Sequence, residues 1–325
     1  MKSKKVTILG GGTGGFVVLS GLKKYPLDLA VVVNMMDSGG STGLLRDQLG
    51  VLPPGDLRQC LIALSEAPIL WRELFLYRFE SGDLAGHNFG NIFLSALEKV
   101  SANYEEVVKT ASFVLKTKGE AIPVTFSKSN LAVEYEDGKV IVGEGNIDEH
   151  NSQTCRIKKA FLEPPANPND RALERIAQSD YLIIGPGDLY TSIISILLVS
   201  KIKKAIQSSK SKIIYIMNLM TKSGQTNQYR ASDHLRDLSK YLGRIPDGVI
   251  VNDGHIPKNI LNWYLEHHES VVEQDVSKEN YKGWIIRKDL LDLSPYIKKE
   301  SDILTRSILR HDSEKLAKVL IQLIQ

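Results

Sequence analysis

The stretch Lys5 to Gly15, Lys-Val-Thr-Ile-Leu-Gly-Gly-Gly-Thr-Gly-Gly, constrains the fold more than any other part of the chain. Val6, Ile8 and Leu9 make a short, β-branched apolar run, the pattern of a strand buried on both faces. Gly10, Gly12 and Gly15 follow at the spacing G-x-G-x-x-G, and Phe16 to Leu22 continues with a helical pattern. Glycines between a strand and a helix let the backbone turn sharply and approach a ligand without an intervening Cβ. The helix then aims free N–H groups and its positive dipole end at the loop, which favours an anion. The spacing predicts a phosphate loop built from Gly10, Gly11, Gly12, Thr13 and Gly15. The alternative is a glycine-rich turn that binds nothing.

A chain of 325 residues can bury a sizeable core, as one large domain or two smaller ones. With 41 basic and 38 acidic side chains, its net charge of +3 is too slight to argue for nucleic acid. The four apolar-run residues after the basic start Met-Lys-Ser-Lys-Lys fall far short of a signal peptide or membrane span. A cytoplasmic protein is expected. Cys60 and Cys155, the only cysteines, form no paired motif, which suits a reducing compartment.

Leu29 to Asn34 reads as a second strand, followed by the glycine-rich Asp37-Ser38-Gly39-Gly40-Ser41-Thr42-Gly43. Asp37 stands where a dinucleotide-binding unit has its ribose acid, and Gly39, Gly40 and Ser41 suggest a second backbone segment near a ligand. In Pro53-Pro54-Gly55-Asp56-Leu57-Arg58, Asp56 is either a site carboxylate or the N-cap of a helix over Leu57 to Ser65. Arg46 and Arg58 are the nearby arginines, each a partner for an anion or a surface charge. Helical patterns cover Ile69 to Phe79, Asn91 to Val100 and Tyr104 to Leu115. Between the first two, His87 and Asn91 offer a proton donor and an amide, unless the turn is only a helix start capped by Asn88. From Ala121 to Glu163 alternating segments flank Glu136-Asp137-Gly138, a hairpin signal within an expected antiparallel insertion. Asp170 to Gln178 is helical, and Tyr181 to Ile184 is a buried strand ending in Gly185-Pro186-Gly187-Asp188 before an apolar helix. Lys212 to Met217 is a strand with Asn218 at its C-terminal end, the edge where open α/β sheets bind ligands. Ala231 to Leu242 and Pro257 to His268 are helical, Asp247 to Val251 is a strand, and Ser313 to Leu323 is a last helix capped by Asp312 or Ser313.

Taken in order, GGGTGG, D-x-GGSTG-x-x-R, PPGDLR, GHNFGN, GPGDLYTS, N-x-MT and LRHD resemble the gluconeogenesis-factor proteins of the YvcK type, the UPF0052 group. These are relatives of 2-phospho-L-lactate transferase, and the resemblance runs over nearly the whole chain. It implies one Rossmann-like α/β domain over 1–325, a mostly parallel sheet flanked by helices, with an inserted β-hairpin element at about 121–163. It also implies a nucleotide site at the C-terminal edge of the sheet. The nearer branch is similar to proteins that bind UDP-sugars, notably UDP-N-acetylglucosamine, and influence cell-wall synthesis and cell shape. By that resemblance Tyr264 stacks on uracil and Arg310 forks onto the diphosphate, unless Tyr264 is core and Arg310 a surface charge.

The transferase branch implies a phosphotransferase moving a phospholactyl group from a guanosine diphosphate donor to a deazaflavin acceptor, with Mg held by Asp37 and Asp56. The family commonly has two adjacent acids where this chain has Asp37-Ser38, Asn where it has Gln59, and Ser where it has Asp188. An NAD-dependent oxidoreductase follows from the first loop alone. The expected set is therefore the three glycine segments with Arg58, Asn218, Tyr264 and Arg310 around a nucleotide, and Asp37, Asp56, His87, Asn91 and Asp188 on a sugar or acceptor. No cofactor is certain and Mg is possible, as is a homo-oligomer.

Overall fold

The structure is a computed structural model that describes residues 3–150, 155–294 and 307–324. Seven strands form its central sheet: β1 (Lys5–Leu9), β2 (Asp28–Val33), β3 (Glu120–Pro123), β7 (Tyr181–Ile184), β8 (Lys212–Ile216), β9 (Gly248–Asn252) and β10 (Trp284–Lys288). Every pairing among them is parallel, in the spatial order β10-β9-β8-β7-β1-β2-β3. Consecutive residues such as Ile8 and Leu9, Val31 to Val33 and Ile213 to Ile216 are wholly buried, so helices cover both faces. Two smaller sheets complete the strands. β4 (Asn130–Tyr135), β5 (Val140–Val142) and β6 (Ile157–Glu163) are antiparallel in the order β5-β4-β6, and β11 (Leu291–Asp292) pairs with β12 (Arg310–His311).

The helices are α1 (Gly12–Leu22), α2 (Gly40–Leu49), α3 (Gly55–Leu64), α4 (Ile69–Leu76), α5 (Phe89–Val100), α6 (Tyr104–Leu115) and α7 (Glu144–Glu149). There follow α8 (Asp170–Gln178), a π-helical turn Leu189–Ile194 running into α9 (Ser195–Leu197), α10 (Ile202–Ser208), α11 (Ala231–Leu242), α12 (Lys258–Glu266) and α13 (Ser313–Ile324). α1 lies between α3 and α13, whereas α8, α10 and α11 form another packed group. No helix among the described residues is long and apolar enough to cross a membrane.

The α/β class, the parallel sheet and the antiparallel hairpin agree with the sequence reading. Several local expectations are corrected. The glycine segment after β2 is mostly helix, because α2 starts at Gly40. A Cβ at Gly43 would meet the Ser38 carbonyl at 2.2 Å, so glycine lets this first turn close on the preceding chain. Asp56 is not an N-cap: α3 begins at Gly55 after Pro54, which leaves Asp56 in the first turn. Glu120–Pro123 is the outer strand of the main sheet, paired with β2, so the antiparallel element starts near Asn130. Asn88 caps α5 by accepting from the Asn91 N–H at 3.3 Å, and Asp312 caps α13 through the N–H groups of Glu314 and Lys315.

Candidate functional site

A parallel sheet changes winding direction where neighbouring strands send their connections to opposite sides, and here that point lies between β1 and β7. The first and third glycine segments leave these two strands and face each other across the crevice. Gly12 has φ +53 and Gly185 φ +73, left-handed conformations that glycine adopts without strain. Gly14, outside the G-x-G-x-x-G set, makes the closest approach: a Cβ there would stand 1.8 Å from the Pro186 carbonyl oxygen. The Asn218 amide donates to the Gly187 carbonyl at 2.8 Å and its oxygen accepts from the Tyr215 hydroxyl at 3.1 Å, which fixes the β7 turn from the end of β8.

Asp56 comes from α3 to the mouth of the first loop. A Cβ on Gly11 would meet its Oδ2 at 2.2 Å, and its carboxylate accepts from the Gly12 N–H. The chain's own carboxyl therefore sits where the α1 N-terminus favours an anion. Burial first, and then the charge of Asp37, push the Asp56 carboxyl up to about 8, against the opposing pull of Asn34 and Arg58. Asp37 accepts from the Gly39 N–H at 2.8 Å, and its other oxygen lies 2.7 Å from where Gly55 would carry a Cβ.

The opposite wall comes from residues that the sequence reading did not name. α7, in the inserted element, supplies Glu144 and Asp148. Gly145 N–H donates to the Ser38 hydroxyl at 3.2 Å, so Ser38 ties the insertion to the α2 segment. Burial raises Glu144, and Asp37, Asp148, Asp56 and Asp188 raise it further; its Oε2 is shut off from solvent with no hydrogen-bond partner among the described residues. Burial and then Asp188 push Asp148 up to about 7, while Lys222 and a 2.6 Å bond from the Gln225 amide oppose the rise.

Lys222 answers the charge problem raised by Asp188. Burial works against its ammonium, but Asp188, Asp148 and Glu269 outweigh that and raise it. Glu269 lies 3.3 Å away and burial keeps it raised as well, so the lysine's charge serves the whole acidic group rather than one pair. Asn34, read from the sequence only as a strand end, donates to the Thr191 carbonyl at 3.2 Å and bonds the Asp56 carboxyl, linking β2, the π turn and α3. Strong sequence signals were lacking here: single acids, amides and a lysine in short polar loops converge only through the topology.

The remaining expected residues fall into three places. Ser41, His87 and Asn91 come together, with Ser41 Oγ 3.3 Å from His87 Nδ1 and accepting from the Asn91 amide at 3.3 Å. Arg58 is buried, its guanidinium donating to Asn91 Oδ1 at 2.7 Å and to the Phe75 carbonyl at 3.2 Å, so it braces this network. Tyr264 is only 1% exposed and belongs to a small core with Leu219, Met220, Ile256, Leu291 and Leu309. Its hydroxyl pairs with Ser307 at 2.6 Å and accepts from the Leu309 N–H at 3.0 Å, so its ring face is not offered to a base. Arg310 lies in β12 opposite Asp292. A cleft of about 590 Å³ opens elsewhere, beside Arg156, Tyr229 and Glu273. We place the site at the switch point because the glycine turns and carboxylates converge there.

Among the described residues no three His, Cys, Asp or Glu side chains are grouped to hold a metal ion. Asp37 and Asp56 nevertheless fit Mg²⁺, which commonly takes one or two carboxylates and completes its shell with water and substrate phosphates.

Strand order and site together define a doubly wound α/β protein with its crevice at the topological switch point. The chain belongs to the 2-phospho-L-lactate transferase CofD family, whose model matches residues 6–291. It is 37% identical over 324 residues to the gluconeogenesis factor of Bacillus subtilis, covering 99% of this chain and 98% of that one. The gluconeogenesis factor of Halalkalibacterium halodurans is 36% identical over 325 residues, covering 99% and 97%. A crystal structure of a UPF0052 family member from Bacillus halodurans superposes with TM-score 0.89 at 34% identity, covering 99% of both chains.

Proposed function

We propose that this protein is a regulatory binder of a nucleoside-diphosphate sugar of the UDP-N-acetylglucosamine kind, linked to gluconeogenic growth, cell-wall synthesis and cell shape. The observation that carries this reading is the placement of two facing glycine turns against a wall of carboxylates and amides. The turns suit a pyrophosphate; Asp148, Asp188, Gln225 and Lys222 suit sugar hydroxyls, which both donate and accept. A bare diphosphate is repelled by Asp37 and Asp56, so these carboxylates would hold Mg²⁺, or Asp56 would keep the proton that its burial favours. Held there, Mg²⁺ would supply charge neutralisation, while Asn218 and Gly14 keep the two turns in register.

The second reading is a phosphotransferase like 2-phospho-L-lactate transferase, and the adjacency of Asp37 and Asp56 favours it. Thermal melts with UDP-N-acetylglucosamine, GDP and NAD, each with and without Mg²⁺, separate the two. A binder gains about 2.7 kcal/mol when the ligand is at a hundred times its dissociation constant. The proposal expects that gain with the UDP-sugar, little with NAD, and no loss of nucleotide sugar over hours. Turnover with GDP-linked donor and deazaflavin acceptor, or indifference to every UDP-sugar, overturns it.

A further inference from the structure

α1 carries the chain from the crevice at Gly12 to Leu22, at the opposite edge of the sheet, where β2 begins. The ends of α3 and α6 meet beside it. The N–H groups of Glu66, Ala67 and Lys118 donate to the carbonyls of Lys116, Leu115 and Leu64 at 3.1, 3.2 and 2.9 Å. The Lys23 ammonium donates to the Ser65 carbonyl at 2.8 Å, so α1 joins the same junction. α4 starts from it directly after Pro68, and its first three residues face solvent: Ile69, Leu70 and Trp71 are 63%, 75% and 41% exposed. Phe113, in the last turn of α6, is 83% exposed. Bulky apolar side chains left open around one junction mark a contact surface.

The same junction is rich in cations. Arg72 follows Trp71 and is half-buried, and its side chain enters no hydrogen bond or ion pair among the described residues. Lys116 and Lys118 are exposed and enter no ion pair among the described residues. Burial lowers the pKa of Lys23, Arg72 lowers it further, Glu66 opposes, and Lys24 and Lys118 add to the fall. Lys24 is spent on Glu314 at 2.6 Å, which leaves Lys23, Arg72, Lys116 and Lys118 against Glu66 and Glu73. A partnerless arginine beside three lysines suits oxyanions supplied from outside.

We infer that this tip docks on an anionic membrane surface, with Ile69, Leu70 and Trp71 entering the headgroup region and Arg72, Lys116 and Lys118 meeting lipid phosphates. Cations alone would suit any acidic partner, and apolar side chains alone any greasy one. An anionic bilayer offers phosphate and hydrocarbon side by side, the combination that this tip matches. Tryptophan favours that boundary, because its ring is apolar and its N–H is polar. α4 has eight residues, far too few to span a bilayer, so the chain lies on the membrane. α1, 11 residues and about 16 Å long, then holds the crevice out towards the water. Docking therefore leaves the crevice open, whichever ligand it takes.

Co-sedimentation of the full chain with phosphatidylglycerol vesicles, against phosphatidylcholine vesicles as control, tests this. Binding is expected to the anionic vesicles alone, and it should weaken as salt is raised. Leu70→Glu should weaken it about tenfold or more, with circular dichroism confirming an unchanged fold. Lys116→Gln and Lys118→Gln together should weaken it about 25-fold, at about fivefold per lysine. Tryptophan emission should shift to the blue on binding, and Trp71→Phe should still sediment while losing that shift. No binding to anionic vesicles, equal binding to both kinds, or indifference to Leu70→Glu or to the lysine pair overturns the inference. So does a blue shift that survives Trp71→Phe. Competition by inorganic phosphate beyond that of chloride at equal ionic strength would mark a discrete anion site instead, and would also overturn it.

Discussion

Asp56→Asn should stabilise the ligand-free protein, although it alters a residue at the centre of the site. An ordinary aspartate loses its proton near pH 4, and the folded chain holds that of Asp56 to about pH 8. Between those values the native state binds a proton that the unfolded state has released. The contribution to stability is thus fully present below about pH 4 and is lost as pH rises towards 8. One whole proton gives a slope of about 1.4 kcal/mol per pH unit, or about 4 kcal/mol accumulated at pH 7. Asp56 is only half-buried and lies beside the charges of Asp37 and Glu144, so we take half of that, about 2 kcal/mol. Asparagine keeps an oxygen for the Gly12 N–H and carries no charge. Urea unfolding at half-unit steps from pH 4 to 8 should show the variant ahead by about 2 kcal/mol at pH 7, with the gap closing towards pH 4. A variant that is less stable at pH 7, or a gap independent of pH, would refute the reasoning.

Two adjacent glycines in the first turn of α1 should respond oppositely. Gly14→Ala drives a Cβ into the Pro186 carbonyl and should cost about 3 kcal/mol or more, whereas Gly15→Ala meets its first neighbour, Cys60 Sγ, at 3.6 Å and should gain up to about 1 kcal/mol in chemical melts. Lys222→Met leaves Asp188, Asp148 and Glu269 without their shared cation; a loss of about 2 kcal/mol at pH 7 that shrinks at pH 5 is expected, and equal losses at both would contradict it. Tyr264→Phe should cost about 1–2 kcal/mol, because the Leu309 N–H loses its acceptor, and should leave nucleotide affinity unchanged; a sharp fall in affinity would show that Tyr264 works on the ligand.

The first glycine turn, the β7 turn and the strands beside them were legible because β-branched runs punctuated by glycine leave few alternatives, and the 181–184 and 212–217 runs show the same property. Composition misled at Gly40 to Gly43: glycine and serine suggest a loop, yet the absence of a Cβ is what lets α2 fold back on Ser38. β3 and β10 escaped notice because edge strands need little apolar periodicity, and their pairing partners are distant in sequence. The acidic wall was hidden for another reason. Glu144 and Asp148 look like surface acids of a short helix, and only the seating of the insertion against Ser38 and Gln225 turns them inward. Tyr264 teaches the reverse, since a residue singled out by resemblance lies in a core.

A pyrophosphate at the switch point is the central claim, and a crystal structure of the full chain with UDP-N-acetylglucosamine and Mg²⁺ tests it most directly. It should place the diphosphate between Gly10–Gly15 and Gly185–Asp188, displace the Asp56 carboxyl from Gly11, and set the sugar against Asp148 and Gln225. Nucleotide bound instead in the cleft beside Arg156 and Glu273, with Asp56 still seated on Gly11, would contradict it.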